Sequence, residues 1–398
     1  MLAVAGLAGC VAPPPATAPP ALAAAVASQI HAALPRQRPG HGVTDYPGHA
    51  EGDVPKAYAM VLLAELQRLD GHWRADEPNL ARTAGRWLLD NADTNRDGIV
   101  GWGLPVAWDA NDDGSVNPPH TEYTIATAIA IDALQSWAER DEEAPQDEIK
   151  RVVAAAIAPY LDPAMASPSG LAPYSLRAAD RPYDIFNPAA YLAGQIQRAS
   201  LAVDDFETRA RYAAAADRSM GAVLAHRRRT PDGGRWYWNY SVQQDLPNDL
   251  PHAGYMIEGI RSYIEHGGRL ADQFDWPAVL AHLADFRGET DGESGSETGG
   301  VRAFPRFAAR LALPARTYDI GLALHIACSE GEMERLAPWL LGALEAYRDP
   351  APGSTRFLKY PRGHREHDGR AGRPLVINEY EAYLYRGAST CAQAAPAR

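Results

Sequence analysis

The chain has 398 residues, of which 46% are hydrophobic and 9% aromatic, enough to bury a large core in one domain. Its formal net charge at pH 7 is −12 and no basic stripe runs along it, which argues against nucleic-acid binding. No apolar run reaches the length that spans a bilayer, and P-loop, dinucleotide and zincin signatures are absent, so no nucleotide or organic cofactor is expected.

The first ten residues are apolar and end in Leu7-Ala8-Gly9-Cys10, which resembles the lipobox of bacterial lipoproteins. In such proteins the cysteine is acylated and becomes the first residue of the mature chain. Residues 11–45 are rich in Ala and Pro, which predicts an extended tether. We therefore expect an exported protein of the bacterial cell envelope, held at a membrane only by a lipid on Cys10. The alternative is an ordinary cysteine in a disordered N-terminus.

From residue 46 onward, polar or aromatic clusters open apolar helical segments about every 65 residues, an interval typical of a repeated supersecondary unit. These segments are apolar or small nearly all round, which is typical of buried helices. The six segments are Gly48–Leu63, His120–Leu134, Tyr183–Ile196, Asn248–Ile260, Thr317–Cys328 and Ile377–Tyr385.

An amphipathic segment, charged on one face only, lies between each neighbouring pair and suits an outer layer. These five segments are Leu80–Ala92, Ile149–Leu161, Glu207–Arg229, Trp276–Phe286 and Glu332–Arg348. Alternating inner and outer helices predict an all-α fold, an (α/α)6 toroid of about six helical hairpins over residues 46–398. Parallel inner helices would bring all six N-terminal clusters to one end of the barrel.

Two Asp-rich stretches, Asp93–Gly101 and Asp109–Asn117, match the opening of a calcium-binding loop. Each has oxygen side chains at positions one, three and five and Gly at position six. Position twelve holds Leu104 or His120 instead of Glu, but Glu122 is close enough in sequence to serve. We expect structural Ca²⁺ here, with plain Asp/Asn/Gly turns as the alternative. The candidate ligands are Asp93, Asn95, Asp97, Asp109, Asn111 and Asp113.

Aromatic residues stand beside the polar clusters, as a sugar site requires, because sugar rings stack on flat apolar faces. Trp236 and Trp238 could instead only fasten their loop to the barrel rim. The candidate substrate-binding residues are Trp102, Trp108, Trp236, Trp238, Tyr240, Asn248, Tyr123, Tyr183, Tyr318 and Tyr380.

These features together resemble the (α/α)6-toroid carbohydrate-active enzymes, which include glycoside hydrolases and polysaccharide lyases. The segments D-x-x-H-A-G-Y (Asp249 to Tyr255) and N-E-Y-E-A-Y (Asn378 to Tyr383) resemble bacterial polysaccharide-processing proteins of that architecture. The resemblance covers Tyr46 to about Arg386 and implies a polysaccharide or oligosaccharide substrate. Toroids also include terpene and peptide cyclases, so the fold alone does not decide the function.

The clusters allow two kinds of glycosidic cleavage. Hydrolysis needs two carboxylates, and the acidic rim favours it because ionised carboxylates would repel a polyuronate. Elimination from a uronic acid would instead use Asn248 to neutralise the substrate carboxylate and His252, Tyr255 or Tyr240 to move the proton. A non-catalytic glycan-binding lipoprotein is the third possibility. The candidate catalytic residues are Asp249, His252, Tyr255, Glu122, Asp184, Asp319 and Glu379, with Glu381 as a further rim carboxylate.

Three remaining features receive structural interpretations. Cys328 lies in an apolar helix and Cys391 in the tail, so a buried thiol is predicted for Cys328 rather than a disulfide. The basic run at residues 226–230 is expected to complement a helix C-terminus. Residues 288–300 predict a mobile loop, with plain disorder favoured over a lid, and residues 364–368 predict a solvated turn.

Overall fold

The computed structural model describes residues 18–46, 48–69, 79–111, 113–288, 300–308, 311, 313–364 and 375–394. These residues form twelve α-helices and three short antiparallel strand pairs. The helices are α1 (Pro19–Ala33), α2 (Pro55–Leu69), α3 (Leu80–Asp90), α4 (Thr124–Arg140), α5 (Gln146–Ile157), α6 (Phe186–Ser200), α7 (Phe206–Ala225), α8 (Leu250–Glu265), α9 (Trp276–Ala281), α10 (Thr317–Ser329), α11 (Met333–Ala343) and α12 (Asn378–Gln393). The strand pairs are β1 (His41–Val43) with β2 (Glu51–Asp53), β3 (Trp108–Asp109) with β4 (Val116–Asn117), and β5 (Arg228–Arg229) with β6 (Trp236–Tyr237).

The six even-numbered helices are the predicted inner helices, and they form a ring. In this ring α2 packs against α4, α4 against α6, α6 against α8, α8 against α10, α10 against α12, and α12 against α2. Small residues allow the closest approaches: a Cβ on Gly194 of α6 would lie 2.4 Å from the backbone oxygen of Gly259 in α8. A helix that is apolar on every side has no face suited to water, so it must be surrounded by other parts of the protein. This is why the apolar, small-residue pattern predicts the inner layer.

Each inner helix also packs against the outer helix that follows it, so that α2–α3, α4–α5, α6–α7, α8–α9 and α10–α11 form hairpins. The outer helices keep one face toward the ring, as the one-sided charge pattern predicts. The sixth inner helix, α12, instead packs against α1, which also contacts α11. The first helix of the chain is therefore the outer partner of the last.

The prediction of an extended tether over residues 11–45 is wrong for residues 19–33, which form α1. Pro19 stands in the first turn, where proline suits a helix, and the buried side chains are Ala23, Val26, Ala27 and Ile30. Their spacing of three, one and three residues is helical, but alanine-rich composition hides the pattern because the polar face also carries alanines. Residues 1–17, including Cys10, lie outside the described residues.

Cys328 of α10 and Cys391 of α12 form a buried disulfide, with their Cα atoms 5.0 Å apart. The prediction of a buried thiol at Cys328 is therefore wrong, because packing of α10 on α12 brings together two cysteines that are 63 residues apart. The basic run is placed as predicted only in part: His226 caps the C-terminus of α7, but Arg228 and Arg229 form β5.

No helix in the described part of the chain is both long and apolar enough to cross a membrane. Most of the predicted mobile loop (residues 289–299) and of the predicted solvated turn (residues 365–368) lies outside the described residues. All twelve helices lie within the described residues.

Candidate functional site

A cavity of about 350 Å³ opens where the six inner helices begin. Every inner helix contributes a residue from its first turn or from the residue before it, so the prediction that the six clusters meet at one end is confirmed. A larger groove of about 470 Å³ lies on the outside between α5 and α7, but its walls are mainly apolar. The contributions to the inner cavity include Lys56 from α2, Tyr123 from α4, Asn187 from α6, His252 from α8, Tyr318 from α10 and Glu379 from α12.

His252 and Asp249 form a hydrogen-bonded pair at the wall of this cavity. Asp249 caps α8 by accepting from the backbone N–H of His252 at 3.3 Å, and its Oδ1 also bonds Nδ1 of the His252 ring. With Nδ1–H donating to the carboxylate, Nε2 remains to accept or donate a proton. The His252 side chain is 29% exposed, and the edge of Tyr240 lies against it with ring centroids 4.9 Å apart.

Arg316 connects Asp249 to a second carboxylate. Its Nη2 donates to Asp249 Oδ2 at 3.0 Å, its Nε donates to Asp319 Oδ1 at 3.2 Å, and its guanidinium lies 4.7 Å over the ring of Tyr318. Burial acts to raise the pKa of Asp249, but the charges of His252 and Arg316 outweigh burial and lower this pKa. Burial raises the pKa of Asp319 to about 6, with Arg316 opposing the rise and Asp249 adding to it. Asp249 is therefore the carboxylate that stays ionised behind His252.

Two carboxylates line the cavity directly, and each is held by a lysine. Lys56 Nζ lies 2.6 Å from Glu379 Oε1, and Lys359 Nζ lies 2.7 Å from Asp45 Oδ1. Asp45 also accepts a hydrogen bond from the hydroxyl of Tyr380. The strongly acidic rim that the sequence predicts is thus largely neutralised in the described part of the wall.

Aromatic rings form much of the remaining wall. Trp108 lies 5.7 Å from Tyr123 and 6.3 Å from Tyr174, measured between ring centroids, and it also contacts Tyr46. Burial raises the pKa of Tyr123 and of Tyr240 to about 12. At neutral pH these phenols therefore carry their protons and can donate hydrogen bonds to a ligand.

Two further polar groups differ in their availability. The hydroxyl of Tyr255 is paired with that of Tyr383 at 2.7 Å, and burial raises the pKa of Tyr255 well above its ordinary value. Nδ2 of Asn187, by contrast, is buried and has no hydrogen-bond partner in the described protein, although Asn187 lines the cavity. An acceptor oxygen of a ligand would satisfy this amide.

Four of the five predicted catalytic carboxylates do not line the cavity directly: Asp249, which lies behind His252, and Asp184, Asp319 and Glu122. The further rim carboxylate, Glu381, does not line it either. Asp184 accepts from the hydroxyl of Ser167 and the backbone N–H of Ser169, and Asp319 is buried beneath Arg316. Glu122 and Glu381 accept hydrogen bonds from residues that do not line the cavity. Glu122 accepts from Asn95, and Glu381 accepts from Arg356 and from the backbone N–H of Phe357.

The predicted sugar-binding residues also divide into two groups. Trp108, Tyr123, Tyr240, Tyr318 and Tyr380 line the cavity. The others do not. Trp102 and Trp238 are buried, and their indole N–H groups donate to the backbone oxygens of Leu88 and Val223, respectively. Trp236 and Asn248 are buried around a separate small cavity, and Tyr183 donates to Asp113. The alternative in which Trp236 and Trp238 fasten their loop is the one observed.

Six polar or aromatic residues of the wall are absent from the sequence-based candidates, namely Asp45, Tyr46, Lys56, Tyr174, Asn187 and Arg316. Lys56 and Asn187 stand inside the polar clusters that mark the inner helices, so their position was a usable signal. Arg316 directly precedes the fifth cluster. Asp45 and Tyr174 come from connecting segments, whose place in the wall depends on the folded ring.

Both Asp-rich loops adopt the turn that the motif predicts. In the first, Asp93 accepts from the backbone N–H groups of Asp97 and Gly98, both at 3.1 Å. In the second, Asp109 accepts from Asp113 at 3.2 Å and Gly114 at 2.7 Å. The sixth-position glycines have φ of 86°, a left-handed conformation that favours glycine.

The third residue of each loop contacts a buried carboxylate from elsewhere in the chain. Asn95 donates to Glu122 at 2.7 Å, and Asn111 donates to Asp180 at 2.8 Å. Glu122 thus lies beside the first loop, and Asp180 has the same relation to the second. Within the described residues, however, no three His, Cys, Asp or Glu side chains are grouped closely enough to hold a metal ion. Calcium binding therefore stays a prediction.

No protein-family model and no curated protein sequence matches the chain. Solved structures do share its fold. A GH76 α-mannanase from Bacteroides thetaiotaomicron is 13% identical with a TM-score of 0.57, covering 94% of this chain and 96% of its own. A polysaccharide lyase is 8% identical with a TM-score of 0.55 over 94% and 98%. A D-mannose isomerase is 10% identical with a TM-score of 0.60 over 95% and 98%. At these identities the likeness shows the fold, a helical toroid.

Proposed function

We propose that the protein is a carbohydrate-active enzyme that cleaves glycosidic bonds in a polysaccharide or oligosaccharide. The observation that carries this proposal is His252, held by Asp249 at the wall of a cavity that is lined mainly by aromatic rings and paired charges. Flat rings suit sugar faces, and an oriented imidazole suits proton transfer near neutral pH. A mannanase and a polysaccharide lyase with the same fold support this substrate class.

Elimination from a uronic acid is the chemistry that the side chains favour. His252 Nε2 would remove the C5 proton, the electrons of that C–H bond would form the C4–C5 double bond, and the C4–O bond would break. Tyr240, which is neutral and lies against His252, would protonate the leaving oxygen. Nδ2 of Asn187 would donate to the substrate carboxylate and stabilise the charge that develops there.

Hydrolysis, which the sequence alone favours, is the second candidate. It would use Glu379 and Asp45, the carboxylates that line the cavity. Each is paired with a lysine, so neither is suited to be the protonated acid that must donate to the leaving oxygen. The sequence favours hydrolysis because ionised carboxylates would repel a uronate. The lysine partners weaken that repulsion.

We also propose that the protein is exported and that its Asp-rich loops bind structural calcium. The buried disulfide between Cys328 and Cys391 supports an oxidising compartment, where such bonds form and persist. A lipid on Cys10 would hold the protein at a membrane. The matching positions of Glu122 and Asp180 beside the two loops support a common cation-binding role.

A panel of bacterial polysaccharides, with and without uronic acids, tests the proposed reaction. New reducing ends together with the absorbance of unsaturated uronates would identify elimination, and reducing ends alone would identify hydrolysis. His252→Gln should abolish the unsaturated products of elimination, because it removes the proposed base. His266→Gln is the matched control, because His266 lies at the opposite end of α8. No product from any glycan would contradict catalysis and leave a glycan-binding role.

A further inference from the structure

A second, much smaller cavity lies beneath the N-terminus of α8, between that helix, the segment around β6 and the outer helix α9. Its volume is about 10 Å³, close to what one water molecule needs. Apolar residues such as Met256 and Val279 form part of its wall, and Trp236, Asn248 and His282, which carry polar side-chain atoms, line it as well. None of these three residues lines the larger candidate active site.

Four polar side-chain atoms of these residues have no hydrogen-bond partner within the described part of the protein: Nε1 of Trp236, Nδ2 and Oδ1 of Asn248, and Nε2 of His282. The three residues are 5%, 1% and 3% exposed, so bulk water does not reach them. Buried polar atoms in folded proteins nearly always have a partner, because an unpaired one loses its hydration without compensation. Four such atoms around one small space indicate a shared partner.

The hydrogen-bonding character of these atoms identifies that partner. His282 Nδ1 donates to Asp285 Oδ2 at 2.9 Å, so Nε2 of the neutral ring is an acceptor. The wall therefore offers two donors, from Trp236 and Asn248, and two acceptors, from Asn248 and His282. A water molecule has two protons to donate and two lone pairs to accept, which matches this set. We propose that the cavity binds one structural water molecule.

Other small ligands fit less well. A metal ion would meet the N–H of Trp236, and the space has no carboxylate of its own, since Asp285 is engaged by His282 and by Arg235. An organic molecule needs a far larger volume. The small cavity shares no lining residue with the candidate active site, so the proposed water site is independent of the proposed function.

The bound water would give Asn248 a different role from the one predicted from the sequence. The backbone N–H of Asn248 donates to the oxygen of Trp238 at 2.9 Å, and the next residue, Asp249, caps α8 and bonds His252. Asn248 therefore holds the segment that leads into α8, on one side through its backbone and on the other through the water.

The sign of a stability change tests the proposal. If the water is present, Asn248→Leu breaks two of its hydrogen bonds, and the thermal unfolding midpoint falls below that of the unmodified protein. If the cavity is dry, the same change removes an unpaired buried amide, and the midpoint rises. Asn239→Leu is the control, since Asn239 donates directly to the backbone oxygen of Gln244 at 3.0 Å and its loss should lower the midpoint in either case.

A crystal structure of the unmodified full chain provides a second test that does not depend on a variant folding. We expect one density peak within about 3.2 Å of the four polar atoms. An empty cavity, or an Asn248 side chain that bonds protein groups directly, would overturn the proposal. A raised midpoint of the Asn248→Leu variant would overturn it as well.

Discussion

Arg316 Nη2 donates to Asp249 Oδ2 over 3.0 Å and so joins the residue that precedes α10 to the N-cap of α8. The contact exists because parallel inner helices place their N-termini at the same end of the ring. An ionised carboxylate at the N-terminus of a helix is also favoured by the helix dipole. Asp249 therefore serves two purposes with one side chain: it caps α8 and it orients the ring of His252.

Replacing Asp249 by Asn separates these two purposes. Asn caps a helix about as well as Asp, so the free energy of unfolding should change by at most about 1 kcal/mol. Turnover on a cleaved glycan should fall by roughly 10²- to 10⁴-fold, because the charge that orients and stabilises His252 is lost. Asp205→Asn, at the N-cap of the outer helix α7, is the matched control and should keep full activity. An active Asp249→Asn variant would reduce this residue to a helix cap.

Asp319 should make stability depend on pH in a defined window. Its pKa is raised to about 6, mainly by burial, while the unfolded chain has the ordinary value near 4. Between these values the native state holds a proton that the unfolded state has lost, so stability should fall as pH rises from about 4 to 6. Asp319→Asn should flatten that fall by an amount on the order of 1–3 kcal/mol.

Urea unfolding of both proteins at several pH values measures this difference. Because other carboxyls, such as Glu122, also have raised pKa values, the comparison uses the difference between the two curves rather than either curve alone. Parallel curves from pH 4 to 6 would show that Asp319 titrates normally.

Much of the inner layer was predictable because its signal is local. The apolar, small-residue run of α10 leaves no wet face, and residues 317–328 are all buried. The position of Asp249 before an apolar run likewise predicted a helix start with a polar group at the barrel end. Such patterns need no knowledge of partners, since periodicity alone tells which face of a helix must be covered.

The rest depends on contacts between distant parts of the chain. The outer helix α1 closes the ring against α12, but its alanine-rich sequence gives almost no contrast between faces. Asp184 looked like a rim carboxylate, yet Ser167 and Ser169 take up its hydrogen bonds. Such hydrogen-bond partners decide which carboxylates of the ring face the cavity. Sequence spacing does not reveal these partners.

Removal of the disulfide should destabilise the protein without altering its site. Cys328 and Cys391 are 63 residues apart, and a cross-link over such a loop stabilises by about 4 kcal/mol when only the entropy of the unfolded chain is counted. A reducing agent should therefore lower the thermal midpoint of the unmodified protein. The Cys328→Ala, Cys391→Ala double variant should start from a lower midpoint and not respond. Equal midpoints with and without reductant would show that the bond does not form.

Calcium binding should appear as a stability that chelators remove. If both Asp-rich loops bind Ca²⁺, a chelator should lower the thermal midpoint, because an ion that binds only the native state stabilises it. Asp97→Ala and Asp113→Ala should each abolish part of that response. Asp204→Ala, an exposed acidic residue outside both loops, should leave it unchanged. An identical melting curve with and without chelator would contradict calcium binding.

Asn187 gives the sharpest distinction between elimination and hydrolysis. Its Nδ2 is buried at the cavity wall without a partner, so its replacement breaks no hydrogen bond of that atom within the described protein. If this amide neutralises a uronate carboxylate, Asn187→Asp places a like charge there, and kcat on a uronate glycan should fall by at least about 10²-fold. Asn91→Asp, at the C-terminus of the outer helix α3, is the control and should keep its activity. Full activity of Asn187→Asp would remove the neutraliser that elimination requires and would favour hydrolysis through Glu379.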